Sequence, residues 1–100
     1  MVREITADNF ESEVLASKKT VLLDFFADWC APCRMLSPVV DEIAEENGEI
    51  LVGKVNVDDQ PTLARQFSVE SIPTLVVIKN GEVFRRSVGA IPKEKILELL

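Results

Sequence analysis

The chain has 100 residues, 47% of them hydrophobic, and we expect residues 1–100 to form a single domain with its own apolar core. Its 17 acidic and 11 basic residues give a net charge of −6, which repels nucleic-acid phosphates and anionic membrane surfaces. We therefore expect proteins as partners, with no binding to nucleic acid or membranes.

The first ten residues, MVREITADNF, carry charges where a signal peptide has an apolar segment. No apolar run approaches the roughly 20 residues that are needed to cross a bilayer. These features predict a cytoplasmic protein, which we expect to be a monomer.

The first half of the chain begins with a predicted helix and a predicted strand. Asp8 and, three positions later, Glu11 form a capping-box pattern that predicts a helix over residues 8–15. The run TVLLDFFA, residues 20–27, is continuously apolar apart from one acid, which is typical of a strand covered on both faces.

A long amphipathic helix is predicted to begin at Pro32 and to end before Gly48. Its apolar residues recur at helical spacing and its acidic residues lie on the opposite face. Pro32 suits the first turn, where a missing N–H donor leaves no hydrogen bond unmade. Pro38 lies inside the helix and predicts a kink.

The second half of the chain changes from alternating elements to a hairpin. The predicted segments are strands at 50–57, 74–79 and 82–88 and helices at 58–67 and 92–100. Asn80-Gly81 between the last two strands is the strongest two-residue signal for an antiparallel hairpin. The predicted order is β-α-β-α-β-α-β-β-α, and its first strand is not assigned to particular residues. This order predicts an α/β fold with a mixed sheet and helices on both faces.

The segment DWCAPC contains the only cysteines, Cys30 and Cys33. A disulfide between them closes too small a ring to stabilise the fold by much. A zinc site needs about four Cys or His ligands, and the chain has no His, so we expect no metal site. The absence of His also excludes a Cys/His protease. We interpret the pair as a dithiol that is oxidised and reduced.

The position of Cys30 assigns the two sulfurs different roles. Cys30 lies where the strand gives way to the helix, and the unpaired N–H groups and dipole of the first turn favour negative charge there. Because the thiolate is the form that attacks a disulfide, we assign Cys30 as the nucleophile. Cys33, one turn further along and expected to be less exposed, is the resolving thiol. A C-x-x-C beside a βαβ pattern is a general redox signature.

Two charged residues interrupt strands that otherwise have apolar sequences. Asp24 lies within VLLDFF and Lys54 within LVGKVNV, and a lone interior carboxylate is costly. An ion pair between them would explain both positions. The alternatives are an Asp at a strand edge and a Lys whose stem reaches solvent. If Asp24 is buried near Cys33, its pKa should be raised, and it could accept the proton of that thiol.

Ile72-Pro73 and Trp29 each have an ordinary interpretation when they are taken alone. An X-Pro bond is usually trans, so that isomer is the default for Ile72-Pro73. A lone Trp is more often a packing residue than a binding one, although the adjacency of Trp29 to Cys30 also favours a role in shielding the thiol.

Several segments together resemble the thioredoxin family in order and spacing over essentially the whole chain. They are LLDFFADWCAPC, Pro38 in the following helix, KVNVD, SIPTLVVIKNGE and VGAIPKE. The resemblance implies the thioredoxin fold, with a central mixed five-stranded sheet flanked by about four helices. It also implies a general protein-disulfide reductase that acts on disulfide-containing target proteins and is recycled by a thioredoxin reductase. No cofactor is implied beyond the Cys30–Cys33 disulfide.

The resemblance also implies roles for individual residues. It supports the roles of the two cysteines, makes Asp24 the buried acid that handles a proton, and places Lys54 beside it. It implies a cis Pro73 and pairing between the main chain of Ile72 and an extended target segment. The implied substrate-binding residues are Trp29, Ala31, Pro32, Val57, Ile72, Pro73, Val88, Gly89 and Ala90.

Two positions depart from the usual pattern of the family. Ala31 stands where Gly is usual between the cysteines, and its Cβ restricts the turn, so the redox potential could shift in a direction that the sequence does not give. Phe26 stands where many members have Trp, which should chiefly alter the packing beneath the site.

Three other functions are consistent with parts of the sequence. Oxidising relatives often have His between the cysteines, whereas this chain has none, which favours a reductant. A glutaredoxin-like enzyme is disfavoured by Trp29 and by Ala31-Pro32. A non-catalytic binding module is disfavoured by the presence of both cysteines, Asp24 and the Ile72-Pro73-Thr74 segment.

Overall fold

A computed structural model describes the whole chain, Met1–Leu100, as a five-stranded sheet with helices on both faces. The strands are β1 (Val2–Glu4), β2 (Thr20–Phe26), β3 (Ile50–Asn56), β4 (Thr74–Lys79) and β5 (Glu82–Val88). The helices are a π-helical turn (Glu11–Leu15), α1 (Ala31–Glu46), α2 (Pro61–Gln66) and α3 (Lys93–Leu99). The predicted mixed sheet flanked by helices is confirmed.

The sheet has the order β1-β3-β2-β4-β5, so β2 is its central strand. Strands β1 and β2 both pair in parallel with β3, whereas β4 is antiparallel to β2 and to β5. The predicted hairpin between β4 and β5 is confirmed, and its turn residues Asn80 and Gly81 have positive φ angles of 53° and 78°. Strand β1 was not located from the sequence, because three residues are too few for a periodic pattern.

Alternation along β2 separates the interior into two apolar layers. Val21, Leu23 and Phe25 face one layer, which the π-helical turn and α2 cover through Val14 and Leu63. The opposite layer contains Leu22 and is covered by α1 and α3. The side chain of the next alternate residue, Asp24, therefore points toward the α1 layer.

The sequence misplaced some details of the short helices. The predicted capping box of Asp8 and Glu11 is not formed, since Phe10 is the N-cap residue of this helix and no side chain caps it. The Asn9 carboxamide oxygen instead accepts from the Thr6 N–H at 2.8 Å. The first helix is a π-helical turn, closed by a bond from the Ala16 N–H to the Glu11 carbonyl at 3.0 Å. The second helix begins at Pro61 rather than within the predicted 58–60 segment, since proline favours the first helical position.

Helix α1 runs without interruption from Ala31 to Glu46 through Pro38. The kink predicted at Pro38 stays a prediction. Leu36, Val40 and Ile43 are buried against the sheet, as the helical spacing predicted. In α3, Ile96 is buried, whereas Leu97 is 39% exposed.

Strand β5 forms one outer edge of the sheet. Two neighbouring arginines on this strand donate hydrogen bonds to the layers on either side. The Arg86 guanidinium donates to the Phe67 carbonyl at 2.6 Å, and Arg85 donates to the Glu98 carbonyl at 2.8 Å. Nearly all of the strand is exposed. No helix of the structure has the length and apolar composition that crossing a membrane requires.

Candidate active site

The two cysteines lie at the junction between the central strand and α1. Cys30 is the N-cap residue of α1, with an extended backbone (φ −89°, ψ 109°), and its Sγ accepts from the Cys33 N–H at 3.3 Å. They form a disulfide with a Cα–Cα distance of 5.2 Å. The sulfur of Cys30 thus occupies the position where capping groups satisfy the unpaired N–H donors of a helix.

The exposures of the two residues differ less than the sequence suggested. Cys30 is 5% exposed and Cys33 is 3% exposed, so both are buried in the disulfide form. They form a small apolar cluster with Ala27, against which Phe26, Val57 and Ile72 pack. A partner can reach Cys30 only across the surface that surrounds it.

A segment with a cis peptide bond lies beside Cys30. The Ile72-Pro73 bond is cis, as the resemblance implied and against the default for X-Pro bonds. The Ile72 carbonyl oxygen lies 3.8 Å from Cys30 Sγ. The Gly89 N–H donates to the Pro73 carbonyl at 2.8 Å, and Val88 pairs with Thr74 across the hairpin. Segments distant in the sequence therefore converge on the cysteines.

The predicted substrate-binding residues differ in how the structure brings them to the site. Ala31 and Pro32 are exposed in the first turn of α1, and Trp29 is 69% exposed. Val88 is 58% exposed, and Ala90 is also exposed. The Trp29 indole N–H donates to Asp58 at 2.9 Å, a partner that sequence reasoning missed.

Asp24 is buried in the α1 layer with nothing bonded to its carboxylate. It is 1% exposed, and neither carboxylate oxygen has a hydrogen-bond partner. Burial raises the pKa of Asp24 to about 6, while the Lys54 charge lowers this pKa and the Asp41 charge raises it. The alternative of an Asp at a strand edge is wrong, because β2 is the central strand.

A cavity of about 400 Å³ joins Asp24 to the underside of the cysteine pair. Its lining consists of Asp24, Phe26, Ala27, Asp28, Cys33, Arg34, Ser37 and Lys54. Asp24 and Cys33 thus line the same cavity.

The expected ion pair between Lys54 and Asp24 is not formed. The two residues are register partners on β3 and β2, but the Lys54 ammonium donates to the Ser37 hydroxyl and lies 3.9 Å from the Asp41 carboxylate. Both of these partners are on α1. Lys54 therefore acts on Asp24 only through its charge, and its side chain, 22% exposed, extends toward the helix rather than freely into solvent.

Sequence reasoning missed Ser37 and assigned Asp41 only to the polar face of α1. The spacing contains a signal for both, because Cys33, Ser37 and Asp41 follow one another at intervals of four residues. Residues at this spacing share a helix face. The face that holds the second cysteine therefore also carries the partners of Lys54.

A disulfide at C-x-x-C spacing, whose first cysteine caps a helix and whose second lines a cavity with a buried acid, is typical of a thiol-disulfide oxidoreductase. Comparison with known proteins agrees with this class. The thioredoxin family model matches residues 1–100. The chain belongs to the thioredoxin family.

Individual relatives match along nearly their full length. The chain is 48% identical to the thioredoxin of Pyropia yezoensis over 100 residues, covering 99% of this chain and 94% of the relative. It is 47% identical to the thioredoxin of Chlorobaculum thiosulfatiphilum over 94 residues, covering 93% and 87%. The thioredoxin of Chlamydia caviae is 44% identical over 100 residues, covering 100% and 96%.

Proposed function

We propose that this protein reduces disulfides of target proteins, with Cys30 as the attacking sulfur and Cys33 as the resolving sulfur. The observation that carries the proposal is the position of Cys30 Sγ, which caps α1 and accepts from the Cys33 N–H at 3.3 Å. Donors and the helix dipole at this place favour a thiolate in the reduced protein.

The reaction transfers two electrons in two exchanges of sulfur. The Cys30 thiolate attacks one sulfur of the target disulfide, whose second sulfur leaves as a thiolate. Cys33 then loses its proton and attacks Cys30 Sγ, so the Cys30–Cys33 bond forms while the bond to the target breaks. The target gains two electrons and takes up two protons to become a dithiol.

Asp24 is the proposed acceptor of the Cys33 proton. Both residues line the same cavity, and a carboxyl group with a pKa of about 6 can gain and lose a proton near neutral pH. Lys54 acts as the charged neighbour that keeps part of the Asp24 population ionised and able to accept.

Targets are proposed to bind across the surface that surrounds Cys30. The Ile72 carbonyl, 3.8 Å from Cys30 Sγ, offers a main-chain acceptor to an extended target segment. The proposed contact residues around it are Trp29, Ala31, Pro32, Val57, Ile72, Pro73, Val88, Gly89 and Ala90. Recognition through main chain and shape fits a reductase that acts on many proteins.

The remaining functional assignments also follow from the family and the charge. We propose that a thioredoxin reductase returns the two electrons to the disulfide, and that the protein works in the cytoplasm as a monomer. With a net charge of −6, it is not expected to bind nucleic acid or anionic membranes. No metal or cofactor is needed in this mechanism.

The direct test is reduction of a model protein disulfide with dithiothreitol as the electron source. The wild-type protein should accelerate the reduction, and a Cys30→Ser/Cys33→Ser variant should not. If the double variant is as active as the wild type, the proposed chemistry is wrong. If neither the wild type nor the double variant accelerates the reduction, and the double variant still binds partner proteins, the domain is a binding module.

The roles of the two sulfurs can be separated by trapping. In a Cys33→Ser variant the second exchange cannot occur, so disulfide-containing targets should accumulate as mixed disulfides on Cys30. The matched Cys30→Ser variant should trap far less. Stronger trapping by Cys30→Ser would reverse the assignment.

The direction of electron flow depends on the reduction potential of the Cys30–Cys33 pair. A reductant should equilibrate with dithiothreitol-type buffers and remain oxidised in a moderately oxidising glutathione buffer. A potential in the range of strong thiol oxidants would instead support an oxidase-like role. The comparison with Ala31→Gly shows whether Ala31 shifts this potential.

A further inference from the structure

The Lys54 ammonium is held by α1 rather than by the nearest buried acid. It donates to the Ser37 hydroxyl and lies 3.9 Å from the Asp41 carboxylate, one helical turn further along. It also lies 5.6 Å from the centre of the Phe26 ring. These contacts fix a positive charge in the lining of the cavity that Asp24 shares with Cys33.

Asp24 is the unpaired partner in this arrangement. Both of its carboxylate oxygens are buried without a hydrogen bond, although Lys54 is its register neighbour on β3. We propose that Ser37 is a positioning residue, which holds the Lys54 ammonium against α1 and away from the Asp24 carboxylate. Asp24 thus keeps a free carboxylate in the cavity.

The charged groups around Asp24 come from three sides of the cavity. Lys54 faces Asp24 from β3, and Arg34 and Asp41 face it from α1. Asp28 follows the end of β2 and also lines the cavity. On β4, the register neighbour of Asp24 is the apolar Leu75. Burial is the largest influence on the pKa of Asp24 and raises it. Among the cations, Lys54 lowers this pKa and so opposes the effect of burial. A change in the position of this ammonium therefore changes the proton affinity of Asp24.

Loss of the Ser37 hydroxyl leaves the ammonium with two competing carboxylates. Asp41 is 56% exposed, so water screens its attraction, whereas Asp24 is buried. The ammonium gains more by moving to Asp24, where two unbonded oxygens are available. The structure therefore implies that Ser37→Ala converts a distant charge interaction into a direct ion pair.

The first test is the titration of Asp24 in the oxidised protein, followed by carboxyl ¹³C NMR. In Ser37→Ala the pKa of Asp24 should fall by about one unit, as expected when an opposite charge moves into contact. Ser37→Thr, which keeps a hydroxyl, should titrate like the wild type. An unchanged or raised Asp24 pKa in Ser37→Ala, or the same fall in Ser37→Thr, would overturn the inference.

The second test asks whether Ser37 acts through Lys54. In a Lys54→Met background there is no ammonium to move, so Ser37→Ala should then leave the Asp24 titration unchanged. A fall of the same size in both backgrounds would assign the effect to the cavity itself and would contradict the proposed role.

The kinetic consequence rests on the proposed proton-accepting role of Asp24. With a more acidic Asp24, the pH midpoint of the resolution step should move down by about one unit in Ser37→Ala. The NMR titration of Asp24 does not depend on activity. If the Asp24 pKa falls but the pH profile of resolution does not move, Ser37 positions Lys54 as inferred and Asp24 is not the acceptor.

Discussion

Asp24 illustrates how one buried carboxylate can be unfavourable for folding and useful for chemistry. Its strand is central, its oxygens have no partners, and the charge that could neutralise it is held on α1. A hydrogen-bonded and paired Asp would stay ionised and be a weak base. Burial, without such bonds to offset it, gives Asp24 a pKa of about 6 and so a proton affinity suited to neutral pH.

The first prediction at the scale of single residues concerns the stability of the Asp24→Asn variant. The folded-state pKa is about 6 and the unfolded value is about 4, so the folded state alone holds the proton between these limits. The contribution of Asp24 to the stability of the wild type should therefore fall as pH rises from about 4 to about 6 and stay constant above. No such loss is expected in the variant.

The expected difference is on the order of 2 to 3 kcal/mol. Urea unfolding of both oxidised proteins at pH 4 and pH 8 measures it. The free energy of unfolding of Asp24→Asn, relative to wild type, should be higher at pH 8 than at pH 4 by this amount. A difference that does not change with pH would show that Asp24 titrates normally in the fold.

The second prediction at this scale concerns the kinetics of the same variant. If Asp24 accepts the Cys33 proton, Asp24→Asn should slow the release of the target more than the first attack by Cys30. Stopped-flow measurement of mixed-disulfide formation and decay separates the two rates. Equal slowing of both steps would dismiss the role of Asp24 in resolution.

At the scale of elements, the sequence predicted the helices, strands and turns that are determined by a pattern within their own residues. The buried strands β2 and β3, the long α1 and the Asn80-Gly81 hairpin follow from apolar runs, helical spacing and turn chemistry. The π-helical turn was not predicted, since one bond from Ala16 to Glu11 distinguishes it from an α-helical turn. The length of α2 was overestimated because Pro61, a strong start signal, was placed inside the helix.

The packing between strands gives a prediction at Gly53 in β3. A Cβ built at this residue lies 2.6 Å from Ile5 Cγ1 and 3.1 Å from Leu23 Cδ2, and both of these side chains are fully buried. Gly53→Ala should therefore destabilise the protein by about 1 to 3 kcal/mol through overpacking.

Gly48 provides the matched control for this substitution. A Cβ there meets nothing within 4 Å, and its φ angle is not positive. Gly48→Ala should change the free energy of unfolding by less than about 0.5 kcal/mol. Equal effects of the two substitutions in urea unfolding would mean that the close approach of Ile5 is not rigid.

At the scale of the whole molecule, two apolar layers share one sheet, and β2 contributes to both. The alternation of Val21, Leu22 and Leu23 between the layers was predictable from the continuous apolar run. The contacts of Lys54 were not predictable from the sequence. Whether its ammonium bonds to Asp24 or to Ser37 depends on the distance between β3 and α1. That distance is set by the packing of both layers and by no local pattern.

Because both layers depend on β2, we predict that the chain unfolds as one domain in either redox state. The disulfide closes a short loop, so reduction should lower the free energy of unfolding by no more than about 2 kcal/mol. Thermal unfolding with and without dithiothreitol, followed by far-UV circular dichroism and Trp29 fluorescence, tests this. Two separate transitions, or an unfolded reduced form, would contradict it.

The outer edge of β5 leaves a row of peptide groups without a strand partner. Such an edge is a template on which other chains can add and grow into fibrils. Here two adjacent guanidinium groups, Arg85 and Arg86, lie on that strand and are fixed on its opposite faces. A second copy of the chain aligned on the same edge would bring the arginines of the two copies close together, and like charges repel. We therefore expect the two arginines of β5 to oppose aggregation at this edge.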